Sequence, residues 1–340
     1  MIKEIGLWIK EQILAAFAAI GRLFKRFWHF LVGQLRLVGW AKWRIILASL
    51  PVVFFLYIGV GMVYFHRMGD DLSFKATPPA GGSSVVATLS KLVNREVNQF
   101  HWTANDPAIQ PGYYLDNLPN FQKGMMGALS RFGLELRDQL GRMRGSSATD
   151  PDLEKAAGNL SKEPDRWVID WRTSWLPTTP SDSYYREAVR QLDAYNARLS
   201  TGDAVFEKRS DNLLAALDRV ALDLGASSAA IDNYIQENSG GFLPDTGADD
   251  LFYQVKGQVY AYHMLLAALE EDYTDIIQSQ SLGPIYKELL QSLKLALSLD
   301  PILVTNGAID GVLANHLSMQ GFYLLRARTQ MREVTNILLK

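Results

Sequence analysis

The chain has 340 residues, 48% of them hydrophobic, which is enough for a soluble body of ordinary size plus an anchor and too polar for a polytopic membrane protein. It contains no cysteine, which excludes disulfide frameworks, thiolate nucleophiles and Cys-based zinc sites and is compatible with an oxidising compartment. The formal net charge of −2 is unevenly spread: residues 1–44 hold eight Lys/Arg and two acids, a net of +6, while the rest holds 26 basic and 34 acidic residues, a net of −8. An acidic body without a basic excess argues against nucleic acid, and a basic head argues for anionic lipid.

Residues 1–44 lack proline. At 100° per residue Lys3, Lys10, Arg22, Lys25, Arg26 and Arg36 fall on one side of a helix, together with Glu4, Glu11 and His29. Ile2, Ile5, Ile9, Ile13, Phe17, Phe24, Phe27 and Trp28 are among those on the other side. A basic face opposite an aromatic-rich apolar face predicts an amphipathic helix lying in a membrane interface. Packing on another protein, or on a second copy in a homo-oligomer, is the alternative. A mitochondrial transit peptide is opposed by the two glutamates and the scarcity of serine.

Ile45–Phe65 (IILASLPVVFFLYIGVGMVYF) is 21 residues without a charge, about 30 Å as a helix, and predicts a transmembrane anchor over 45–66. It carries Pro51 but no GxxxG pair. The HRMGDD that follows offers no small-residue cleavage site, so a removed signal peptide is disfavoured. The Lys/Arg excess ahead of the span predicts a cytoplasmic N-terminus and a C-terminal domain on the far side.

Residues 67–84 read as a Pro/Gly/Ser tether, with Ser83 or Ser84 capping the next helix, whose inner face is Val86, Leu89, Val93, Val97 and Phe100. Residues 85–340 read as one helical domain with a candidate sub-bundle boundary near 240–247. Helices are expected at about 121–142, 150–160, 181–199, 204–224, 228–237, 249–279, 284–299 and 309–339, with stops at Gly145, Gly202, Gly225, Gly240-Gly241, Gly283-Pro284 and Asn306-Gly307 among others. Two helices near thirty residues joined by short loops suggest an antiparallel bundle. The fold class expected is therefore mainly α: an amphipathic helix, one transmembrane helix and a helical bundle. Two stretches are irregular, 101–120 and 166–180. In the second, Trp167, Trp171 and Trp175 fit either a helical face or a strand, and a short helix or irregular arm is preferred for want of a partner strand.

No phosphate loop, GxGxxG, GxSxG or HExxH is present, and no histidine has a glutamate three residues before it, as carboxylate-bridged metal bundles require. His263 and His316 would meet only if their two long helices faced each other. Glu270, Glu271, Asp272 and Asp275 read as an acidic solvated face, and Asp249 in DTGADD as a helix cap rather than part of a calcium loop. No catalytic residue, metal site or cofactor is assigned. Trp102, Tyr113, Tyr114, Trp167, Trp171 and Trp175 are the candidate partner surface, because such rings combine contact area with a polar tip; closure over the bundle core is the competing role.

The span, the segment WTANDPAIQPGYYLDNLPNFQKGMMGALSRFGLELRD (Trp102–Asp138) and the segment GQVYAYHMLLAALEEDY (Gly257–Tyr273) resemble an uncharacterised bacterial family of inner-membrane proteins. The resemblance extends over most of the chain and implies a Gram-negative envelope setting; it brings no catalytic residue or ligand with it. Together these features favour a non-enzymatic, membrane-anchored protein whose periplasmic domain binds an envelope protein or polymer. An envelope hydrolase or lipid-handling factor with a cavity between helices is the alternative.

Overall fold

An apolar run without charges and a series of apolar faces at helical spacing leave little choice but helices, and the computed structural model is built from them. It describes residues 22, 25–26, 29, 33, 40–142, 149–170, 173–238, 245–301, 303–307 and 314–340. Among these are ten α-helices and no strand beyond an isolated bridge between Asn306 and Asn315. They are α1 (Trp40–Phe65), α2 (Ser84–Asn94), α3 (Asn117–Glu135), α4 (Pro151–Leu160), α5 (Ser181–Leu199), α6 (Ser210–Asn238), α7 (Thr246–Asp272), α8 (Thr274–Ser279), α9 (Gly283–Leu297) and α10 (His316–Leu338). Five-residue π turns prolong α2 through Arg95–Gln99 and α3 through Leu136–Leu140. The chain divides into two compact units, residues 1–60 and 61–340.

In the first unit Arg22, Lys25, Arg26 and His29 are helical and exposed. Helix α1, most of which falls in this unit, contains a 24-residue stretch, Lys42–Phe65, long and apolar enough to cross a bilayer. Most of its side chains lack protein cover, Ile45 being 69% and Phe55 71% exposed, although Ile58 is buried. A helix that is apolar all round and uncovered is unstable in water, so its surface calls for lipid.

The second unit is a helical bundle. Its centre is the crossing of α3 and α7, which run parallel: Asn120 bonds Asp250 at one end, and Arg131 and Tyr262 share Asp223 further along. Between these points Gly124 lies against the backbone of Gln254, and Gly257 against that of Phe121. No side chain fits there, which is why glycine stands at both positions. The other neighbours pair antiparallel. Helix α2 follows α7 from Ser83–Asp272 to Arg95–Tyr260, α4 follows α5 from Asp152–Arg198 to Asn159–Gln191, and α6 follows α10 from Gly225–Arg328 to Ile231–Gly321.

Several helix limits match the sequence, notably α4 after its Asp150 cap and α5 at 181–199. Others do not. Gly225 is not a stop; α6 runs through it, because the missing side chain makes room for the Arg328 guanidinium. Residues 204–209 lie outside any helix, tied down by Tyr195 on Val205 O and Glu207 N on Leu140 O. The helix expected from 309 begins at His316, after Thr305–Gly307 have paired back with Ala314–His316. Asp245, rather than Asp249, caps α7, accepting from the N–H groups of Gly247 and Ala248. Gly145 and Gly240-Gly241 lie outside the described residues.

Residues 67–84 are not a free tether. Met68, Leu72 and Phe74 pack on the core. The buried Arg95 donates to Gly69 O at 2.5 Å and to the Tyr260 hydroxyl at 2.8 Å, which in turn donates to Asp71 O. Its guanidinium lies over the rings of Phe74 and Tyr260. Asp70 pairs with Lys256, whose side chain is 1% exposed. At the far end of the segment Ser83 caps α2.

Candidate functional site

Helix polarity gathers several features at one end of the second unit. There α2 ends, α3, α5 and α7 begin, and the loop 101–116 lies beside residues 164–170 and 173–180. Asn105 donates to Arg166 O and Trp102 Nε1 to Pro164 O, both at 3.0 Å. The apolar turn Gly61–Phe65 belongs to this unit and packs on the first loop: Pro111 fills the notch at Gly61, and the Phe65 ring lies 4.6 Å from that of His101.

The loop is held by buried polar groups. Glu96 is wholly buried and pairs with Arg95; burial pushes its carboxyl upward against the pull of that guanidinium. Gln122 donates to Glu96 and to His101 O, and its carbonyl accepts from both N–H and hydroxyl of Thr103. One amide thus fixes where residues 101–103 leave the bundle. The half-buried His101 ring contacts the Asp106 carboxylate at 2.9 Å.

Between loop and bundle lies a cleft of about 400 Å³, lined in part by Asp106, Tyr113, Asp116, Asp165, Asp250 and Lys123. Burial, then its neighbour Asp116, pushes Asp249 up to about 6; Asp250 is pushed up to about 6 by burial and by a hydrogen bond with Asp116. Carboxylates crowded in this way gain from a cationic or hydrogen-bond-donating group placed between them. Among the described residues no three His, Asp or Glu side chains are placed to hold a metal ion.

Of the six aromatic residues singled out in the sequence, Trp102 is a correction. It is 2% exposed and packs edge-on against Tyr185, closing the core instead of facing a partner. Trp167 is half-buried. Tyr113, Tyr114 and Trp175 are exposed by 58%, 45% and 85%, and Trp171 lies outside the described residues. Lys3, Lys10 and Arg36 also lie outside them. Ile45 and Phe65, the expected anchor ends, both fall within α1.

The histidine pair does not form. His263 is enclosed beside Lys294, and burial followed by that charge pushes it down to about 4, so it is neutral. His316 Nδ1 accepts from Thr305 N at 3.0 Å. The acidic face loses Asp272, which is buried and accepts from Ser83 Oγ (2.7 Å), Ser84 N (3.0 Å) and Val85 N (2.9 Å), a carboxylate seated on the N-terminus of α2. The cleft itself went unseen in the sequence. Asp106, Asp165 and Asp250 lie far apart along the chain, and nothing local marks them as neighbours.

These features define an all-α domain that follows an apolar helix long enough to cross a bilayer. The chain belongs to a family of uncharacterised proteins conserved in bacteria, DUF2333, whose model matches residues 74–240 and 243–340. No curated protein and no solved structure matches the chain.

Proposed function

We propose that the chain is a single-pass inner-membrane protein with a cytoplasmic N-terminus, a basic helix (Lys3, Lys10, Arg22, Lys25, Arg26, Arg36) on the anionic cytoplasmic leaflet, and a periplasmic helical domain that binds an envelope protein or polymer without catalysing a reaction on it. The uncovered apolar surface of α1 carries the anchoring, and the Lys/Arg excess ahead of it supports the direction. The charges that a hydrolase would draw on are engaged structurally: Glu96 with Arg95, Asp223 with Arg131 and Arg219, Asp272 with α2. What stays open to a partner is the acidic cleft beside Tyr113, where a cationic or donor-rich group finds Asp116 and Asp250.

A reporter active only outside the cytoplasm, fused after Lys340, is expected to be active; activity of a cytoplasmic reporter there rejects the topology. A photoreactive residue at Lys123 or Asn120 in intact cells is expected to capture an envelope component, and Asp250→Lys to abolish the adduct. An adduct insensitive to that charge reversal, or no adduct at either position, removes the cleft as the contact.

A further inference from the structure

Two neighbouring segments of the second unit carry exposed apolar side chains. On the 101–116 loop, Ile109, Tyr113 and Tyr114 are 63%, 58% and 45% exposed; on the 164–180 arm, Ile169, Trp175 and Leu176 are 42%, 85% and 73% exposed. The two segments are neighbours by the bonds from Asn105 and Trp102, and His101, Gln110, Trp167 and Val168 line one crevice between them. They are anchored on buried polar groups at Gln122 and Ser181, so the display is a built surface.

Their position identifies the occupant. The same unit contains Met62, Val63, Tyr64 and Phe65, the last apolar turn before His66 and Arg67, with Val63 81% and Tyr64 65% exposed. The uncharged run Ile45–Phe65 is about 30 Å long as a helix against a hydrocarbon core of ~30 Å, and His66 and Arg67 follow at once, so its last turn lies at the border of the headgroup layer. Pro111 and His101 pack directly on that turn, and Met62, Val63 and Tyr114 line a common apolar crevice. The loop is therefore at headgroup depth, where Tyr and Trp are most favourable because the ring is apolar and its tip is wet.

We propose that Ile109, Tyr113 and Tyr114 of the loop, with Ile169, Trp175 and Leu176 of the arm, sit in the lipid interface, giving the domain a second, monotopic contact with the bilayer beside its transmembrane helix. The proposal rests on α1 spanning the membrane.

The cysteine-free sequence permits a direct test. Single cysteines replace Tyr113, Trp175, Leu176, Thr201 and Val53 one at a time in the full-length chain. Each variant is spin-labelled and reconstituted in phosphatidylethanolamine/phosphatidylglycerol vesicles. Collision rates with oxygen and with a water-soluble nickel complex then report depth. Thr201 is exposed beyond the end of α5, beside Ser200, which packs on Gly81 at the opposite end of α2 from the loops. Oxygen is expected to dominate at 113, 175 and 176 and at 53, and nickel at 201, with a several-fold difference in their ratio. Nickel dominance at 113, 175 and 176 while 53 reports lipid overturns the monotopic contact and leaves the anchor standing. Nickel dominance at 53 as well overturns both. Low accessibility to both reagents at the loop positions, the signature of a protein contact, overturns the proposal in favour of self-association.

Discussion

The Gly124–Gly257 crossing makes a prediction whose sign differs from the usual rule. In a helix interior Gly→Ala ordinarily stabilises by about 1 kcal/mol, through reduced backbone freedom in the unfolded chain. At Gly257 the added Cβ would meet Phe121 O at 2.0 Å, Phe121 C at 2.8 Å and Met125 N at 3.0 Å, whereas ordinary contact begins near 3.4 Å. The obstacle is backbone, so no rotamer change relieves it, and α3 and α7 must separate by roughly 1.4 Å over part of their length. A radial gap of even ~0.5–1 Å forfeits a quarter to a half of each dispersion contact. Overpacking of this kind costs about 1–3 kcal/mol or more and outweighs the helix-propensity gain. Gly257→Ala is expected to destabilise the domain by about 2 kcal/mol. Gly158→Ala, at an exposed site in α4 with no atom within 4 Å of the added Cβ, is expected to stabilise it by about 0.5–1 kcal/mol. Denaturant unfolding of the detergent-solubilised full-length protein, followed by circular dichroism, gives both midpoints. A Gly257→Ala midpoint equal to or above the wild type would refute the backbone-contact argument.

The Asp272 carboxylate gives a second test. Asp272→Ala leaves the N–H groups of Ser84 and Val85 and the Ser83 hydroxyl without their acceptor. At about 1–3 kcal/mol per buried unsatisfied group the loss should reach roughly 3–5 kcal/mol, with Asp272→Asn intermediate because it keeps one acceptor oxygen but not the charge favoured at a helix N-terminus. Matching midpoints for Asp272→Ala and wild type would reject the cap. At the cleft Asp250, and next to it Asp249, are pushed up to about 6 in the folded protein against an ordinary 3.8, so the native state holds more protons than the unfolded one between those values. Their stabilising contribution is full below pH ~4 and is lost as pH rises through about 6. Asp250→Asn should flatten this fall and raise the neutral-pH midpoint by about 1 kcal/mol, the exposed site being screened by solvent; an unchanged pH profile counts against the raised pKa.

Local signals carried the sequence a long way where the cause of a boundary is itself local. Asp150-Pro151 opens α4 because a side chain caps and a proline needs no donor, and the apolar periodicity of 181–199 becomes α5 unaltered. The failures share another cause. Gly225 reads as a stop but serves the approach of Arg328 from a distant helix, and Asp272 reads as solvated but finishes a helix nearly 190 residues earlier. Trp102 illustrates the same ambiguity for aromatics, since one ring in a proline-rich loop serves surface or core equally well until Pro164 and Tyr185 decide it. The acidic cleft was illegible for the same reason: its carboxylates meet only once α3, α7 and the loops have assembled.

The clasp of Arg95 on Gly69, Phe74 and Tyr260 has a mechanical consequence. A flexible leash of the same length would take up slack under tension and pass little of it on. Here residues 69–74 are fastened across α2 and α7, so tension applied at Phe65 loads the guanidinium bonds and the Lys256–Asp70 pair in shear before any backbone can extend. The load is then shared between two helices whose far ends are joined again through Ser83 and Asp272. A partner pulling on the domain would therefore strain the bundle and not merely reposition it.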